Sequence, residues 1–310
     1  MTASTERGAD APDRIPGDHR HLWTVIRLHR PAMWVWIAFV VLTTAAMLWL
    51  RYGPYGTGAV EIQEGCGTAG VRDCSMIPND AEALFQFWNL LDQISSVLRN
   101  IAPVVAAWAG GAVVARELEN GTAELAWTQA VTPTRWLKEK LAVPALFLTV
   151  GTGALVLHFR TLLYWADAHN LLGAGYDIQD FYFAFGPSTV ALVLFGLAIG
   201  VLTGFLARGT LPALAVAGAV TWISTWLMNP WRTQIWPTVT HPRKGEGPFG
   251  YAAMPCQWKQ ADHKYSVDAC LGAKPASLYW PVQLVETGFL LLIGGLAVAA
   301  AFWLLRRRTP

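Results

Sequence analysis

Six runs of apolar residues constrain this chain more than any other feature: Ala32–Leu50, Ile94–Ala115, Leu141–Phe159, Phe185–Leu206, Leu211–Met228 and Val282–Leu305. Each approaches or exceeds the ~18–20 residues that a helix needs to cross the hydrocarbon core of a bilayer. In that core only a structure that pairs its own backbone groups is tolerated, and for runs of this length the structure is a helix. Charged residues make up 14% of the chain and hydrophobic ones 54%, whereas soluble domains carry roughly 25% charge. The expected fold is an all-α polytopic membrane protein with six transmembrane helices. One domain would cover residues 19–310, after a disordered tail over 1–18. Many of the sixteen tryptophans lie at the edges of the runs, among them Trp34, Trp49, Trp226, Trp280 and Trp303, where interfacial belts place them. The first thirty residues contain arginines and no apolar stretch, so no cleavable signal peptide is read there.

Orientation follows from Lys and Arg near span ends. Arg20, Arg27, Arg30, Arg116, Arg135, Lys138, Lys140, Arg208, Arg306, Arg307 and Arg308 fall on one side if six spans alternate. Both termini are therefore expected in the cytoplasm, with two long loops outside the plasma membrane. Cys66, Cys74, Cys256 and Cys270 all lie in those outer loops, on the side where disulfides persist. Of three connectivities, the local pairs Cys66–Cys74 and Cys256–Cys270 are favoured over free thiols or a zinc site. Basic residues follow topology and gather in no patch, so no nucleic-acid partner is expected.

Several local features refine this reading. His19–Arg30 reads as an amphipathic helix with its arginines on one face, suited to the membrane interface and its lipid headgroups, and Pro31 is expected to turn the chain into the membrane. Asn79-Asp80 could cap an outer helix whose Leu84, Phe87, Trp88 and Leu91 share an apolar face and which runs almost directly into the second span. Arg99, Asn100 and Glu286 sit inside spans, where polar and charged groups are candidate pathway or gating residues. Gly196, Gly200 and Gly204 form a doubled GxxxG ridge for close helix packing, and Ala107, Gly111 and Ala115 a weaker one.

The chain has no GxxxxGK[ST] and not even a Gly-Lys dipeptide, hence no phosphate-binding loop. It also lacks HExxH and GxSxG, and no catalytic constellation is read from it. The polar stretch Arg116–Lys140 between the second and third spans is the chemically richest segment. Gly121 ends one helix, a short amphipathic helix follows over Thr122–Gln129, and Thr132-Pro133 starts the next with a cap and a proline at its first position.

The run Glu117-Leu118-Glu119-Asn120-Gly121-Thr122-Ala123-Glu124-Leu125-Ala126-Trp127-Thr128-Gln129-Ala130-Val131, with Thr132, Arg135 and Lys140, resembles the first cytoplasmic loop of permease subunits of type-2 family ABC transporters, and its Ala-Trp-Thr-Gln wording resembles their actinobacterial branch. The resemblance implies the permease of an ATP-driven exporter, working as a homo- or heterodimer. Separate cytoplasmic ATPase subunits would bind ATP and Mg, and this chain would hold no cofactor and no catalytic site. It further implies that Glu117, Glu119, Gly121, Thr122, Glu124, Leu125, Trp127 and Thr128 form the ATPase-coupling surface. From another class, a secondary transporter, or a membrane-embedded sensor or enzyme using its outer loops to bind ligand, stands as the rival reading. The cysteine reading has its own check: Cys→Ser variants should change mobility on non-reducing gels and expose new thiols to labelling, and no change in either would refute the two disulfides.

Overall fold

The computed structural model describes residues 18–68, 82–128, 132–169, 171–172, 184–207, 209–235 and 279–308, with Phe181 and four two-residue strands; the side chains of 18–31 and some at segment ends lie outside that description. Helix α1 spans Asp18–Tyr52, α2 Pro54–Thr68, and α3 Glu82–Trp108, which continues through a π-helical segment Ala109–Ala115 into the single turn α4, Arg116–Glu119. Then follow α5 (Thr122–Thr128), α6 (Pro133–Ala168), α7 (Pro187–Leu206), α8 (Thr210–Ile235) and α9 (Tyr279–Arg308). Six stretches are long and apolar enough to cross a membrane: Ala32–Gly65, Glu82–Glu119, Pro133–Ala168, Pro187–Leu206, Thr210–Met228 and Tyr279–Arg307. The protein is thus a helical, multi-pass membrane protein, and each stretch contains or overlaps one of the apolar runs.

Three features go beyond the sequence reading. The segment expected to lie along the interface is helical but continuous with the first span, because α1 passes residue 31 without a break. A proline removes one backbone hydrogen bond, and a helix that continues on both sides need not end there. Secondly, the start of the first outer loop is helix α2. Gly53 makes the bend, its amide donating 2.7 Å to the Trp49 carbonyl, and Pro54 occupies the first position of the new helix, where its missing N–H is harmless. Thirdly, two antiparallel pairs of short strands, Tyr251–Ala252 with Ala273–Lys274 and Gln260–Ala261 with Lys264–Tyr265, lie between α8 and α9. The outer amphipathic helix and the second span form one element, with Leu84, Phe87 and Leu91 buried and Trp88 partly so. The tail 1–17, the Asn79-Asp80 cap, Cys74, Cys256, Cys270 and the Cys66 side chain lie outside the described residues.

Helix α7 is the axis of the bundle. It packs against α3, the π-helical segment, α6, α8 and α9, and nearly every residue from Ser188 to Phe205 is buried. Its glycine ridge makes this packing possible. A Cβ on Gly196 would stand 2.8 Å from the Ala102 carbonyl oxygen, one on Gly200 2.5 Å from that of Ala106, and one on Gly204 3.0 Å from the Val114 Cβ. The partner numbers rise with the glycine numbers, so α3 and α7 cross in the same direction. The doubled GxxxG therefore packs within this chain. Three hydrophobic clusters stack along the axis: one around Phe87, Phe159, Phe185 and Tyr279, a middle one around Phe195 and Ala198, and one around Val114, Trp136, Phe205 and Leu305.

Replacing Gly200 by valine should cost at least about 1–3 kcal/mol through overpacking against backbone, read as a lower melting temperature in detergent. Gly153, whose Cβ position is open, should accept alanine without loss. Equal tolerance at both positions would remove the ridge as a packing device.

Candidate functional site

The polar loop folds into an elbow at the end of the bundle where α3 gives way to α6. Its geometry begins at Gly110-Gly111. Gly110 faces backbone of two neighbours, its Cβ position lying 3.0 Å from the Gly200 carbonyl oxygen and 3.3 Å from that of Ala213, while a Cβ on Gly111 would meet Leu214 at 2.6 Å. Three helices thus converge on two residues without side chains. Here the helix widens to π geometry, and the Arg116 amide bonds to the Gly111 carbonyl five residues back. Such an extra residue re-aims everything beyond it and is frequent at functional sites.

Beyond the π-helical segment, α4 runs for one turn. Asn120 ends it, its amide donating to the Arg116 carbonyl at 3.1 Å, and Gly121 follows at φ 69°. That left-handed conformation favours glycine and reverses the chain into α5. The new helix is amphipathic across its two turns. Ala123 is fully buried, and Trp127 meets Trp136 of α6 edge to face with centroids 5.7 Å apart. Thr122, Glu124, Leu125 and Thr128 point outward, with Leu125 61% exposed. Helix α6 then starts as the sequence suggests: the Thr132 hydroxyl accepts from the Arg135 amide at 3.4 Å, and Pro133 takes the first helical position.

Three contacts tie the elbow to the spans. Lys140, buried in α6, donates to the Glu117 carboxylate. The Glu119 carboxylate accepts from both the amide, at 2.9 Å, and the hydroxyl of Thr210. Thr210 is the first residue of α8, so Glu119 supplies an anionic cap from another element to a helix N-terminus. The Trp127–Trp136 contact is the third. Of the residues assigned to the coupling surface, Glu117, Glu119 and Trp127 are therefore tied to the spans, whereas Glu124 and Leu125 point outward beside Thr122 and Thr128, whose hydroxyls donate to the Glu117 and Leu125 carbonyls at 3.2 and 2.8 Å. The pairing of Lys140 with Glu117 is not legible in the sequence, where Lys140 marks topology and belongs to the family-like run. Nothing in the sequence singles out Thr210.

The intramembrane candidates lie elsewhere and are not gathered at the elbow. Arg99 Nη2 donates to Ser96 Oγ at 3.3 Å, and Asn100 Nδ2 to the Ser96 carbonyl at 2.7 Å. Asn100 also borders an apolar cavity of about 560 Å³ between α1, α3 and α6. Glu286 is buried in α9, one turn from Gln283, whose Oε1 accepts from the Ser188 amide at 3.1 Å.

The Glu117–Lys140 pair is testable. Glu117→Gln leaves a buried ammonium without its counter-charge and should lower stability by about 3 kcal/mol or more, whereas the double variant Glu117→Leu, Lys140→Met should regain most of it. Melting in detergent reads both, and additive losses in the double variant would refute the pairing.

Comparison with known proteins supplies one match. A family described as ABC-2 membrane transporter related aligns with residues 37–232, from the first span through the elbow to the fifth. No curated protein and no solved structure matches.

Proposed function

The chain belongs to the ABC-2 membrane transporter related family, and from that premise we propose that it is the permease subunit of an ATP-driven exporter, moved by separate ATPase subunits that dock on α5. The family and the six spans make it a transporter permease of the multi-pass kind; the direction, the energy source and the docking site are our reading. The observation that carries it is the outward face of α5, a carboxylate (Glu124) beside an exposed leucine (Leu125) and two hydroxyls, held on a mount fastened to two spans. An exposed apolar anchor next to charge is what a docking interface uses.

In this mechanism the ATPase subunits bind ATP and Mg, close on each other and displace α5. Displacement passes through Trp127–Trp136 and Glu117–Lys140 to α6, and through Glu119–Thr210 to α8. A second permease copy completes the pathway, and both termini lie on the cytoplasmic side with the ATPases. The π-helical segment gives α3 one place where its hydrogen-bond ladder is already loosened, so the elbow can shift against α7 without unravelling the span.

Co-purification of the ATPase subunit with the tagged chain tests the docking face. The double change Glu124→Lys, Leu125→Ala should reduce recovered ATPase about tenfold or more, since loss of one good anchor is worth roughly 1–2 kcal/mol. Charge reversal at exposed Glu64 of α2 should leave it unchanged. Full recovery with the α5 variant would overturn the assignment.

A further inference from the structure

A groove of about 610 Å³ runs along the outside of the bundle between α6 and α9, with α7 as its floor. Small residues open it: Ala142 and Ala145 on one wall, Gly294 and Gly295 on the other. The two glycines differ in what surrounds them. Gly294 packs on Phe195 of α7, its Cβ position 3.5 Å from that residue's Cα, whereas the Cβ position of Gly295 has nothing within 4 Å. The missing side chain at Gly295 is therefore not required by helix packing.

The groove is apolar along its length and basic at one end. Lys138 lines it there and is exposed. Phe302 lines it on α9, and Arg306, also exposed, follows four residues on, on the same helix face. From Leu290 to Phe302 the groove follows twelve residue steps of α9, about 18 Å at 1.5 Å per residue. That is close to half of the ~30 Å hydrocarbon thickness of a bilayer. An occupant thus needs an apolar part as long as one leaflet and an anionic group at the membrane surface. A second copy of this chain fits less well, because an apolar span packed over this end would take Lys138 and Arg306 out of water without offering them a countercharge.

We propose that this groove is a binding site for an anionic phospholipid, with one acyl chain lying over Gly295 and the phosphate held by Lys138 and Arg306. Basic residues at the rim of a cleft between spans are the chemistry that selects anionic headgroups, and the open glycine provides the tail's path. The lipid would brace α6, which carries Lys140 and Trp136 of the elbow, against α9. The site needs no ATPase and no transported substrate, so its failure would leave the permease reading untouched, and the reverse also holds.

Native mass spectrometry of the protein equilibrated with equal amounts of phosphatidylglycerol and phosphatidylcholine tests the site. The expected result is one retained phosphatidylglycerol. The variant Lys138→Gln, Arg306→Gln should lower the ratio of retained phosphatidylglycerol to phosphatidylcholine about tenfold or more. Gly295→Phe should remove the bound lipid of either kind while the melting temperature without added lipid stays at the wild-type value. Equal retention of the two lipids, or retention unchanged in both variants, would overturn the proposal. So would a dimer that falls to monomer with Gly295→Phe, which would identify a second copy as what fills the groove.

Discussion

Inside a bilayer, apolar side chains gain nothing by leaving lipid for one another, so helices hold together through close contact and backbone approach. That constraint shapes this bundle around α7. Gly196, Gly200 and Gly204 bring its backbone against that of α3 and the π-helical segment, to distances that any side chain would prevent. Gly110 and Gly111 repeat the device from the other side and admit α8 through Ala213 and Leu214.

The elbow depends on it too. Because the π-helical segment lies against α7 and α8, α4 leaves the bundle in a direction that presents Glu117 to Lys140 and Glu119 to Thr210. Removing a charge from water is expensive, and a buried ion pair contributes little net stability. What it contributes here is direction, since Lys140 is satisfied in one orientation of the loop. A short helix of two turns has little intrinsic stability, and α5 is held by Ala123 and Trp127 against α6. Its other face is thereby left toward solvent as a rigid surface.

Small residues serve opposite purposes in different parts of the molecule. On α7 they are filled by a neighbour's backbone, whereas at Gly295 the space stays open and forms part of a lipid-facing groove. Gly121 answers a third need, a positive φ at a chain reversal. The residue type is the same in each place, and only its surroundings distinguish a packing surface, a cleft and a turn.

Much of the architecture was legible in the chain. Six apolar runs, the Thr132-Pro133 start of α6, the reversal at Gly121 and the apolar face of Leu84, Phe87 and Leu91 are local properties, set by length, periodicity and backbone preference within a few residues, so sequence determines them. The partners of side chains that meet across 23 or 91 positions, Lys140 with Glu117 and Glu119 with Thr210, are not local. Neither is the choice of Gly196–Gly204 as an internal ridge, the inward turn of Trp127, or the continuity of α1 past residue 31. Those depend on which helix comes to lie beside which. Close packing in lipid decides that, and no single segment encodes it alone. The sequence by itself determined the spans and the place where the chain bends between them; the tertiary structure decided which carboxylates of the bend lock onto the bundle and which remain free to meet a partner.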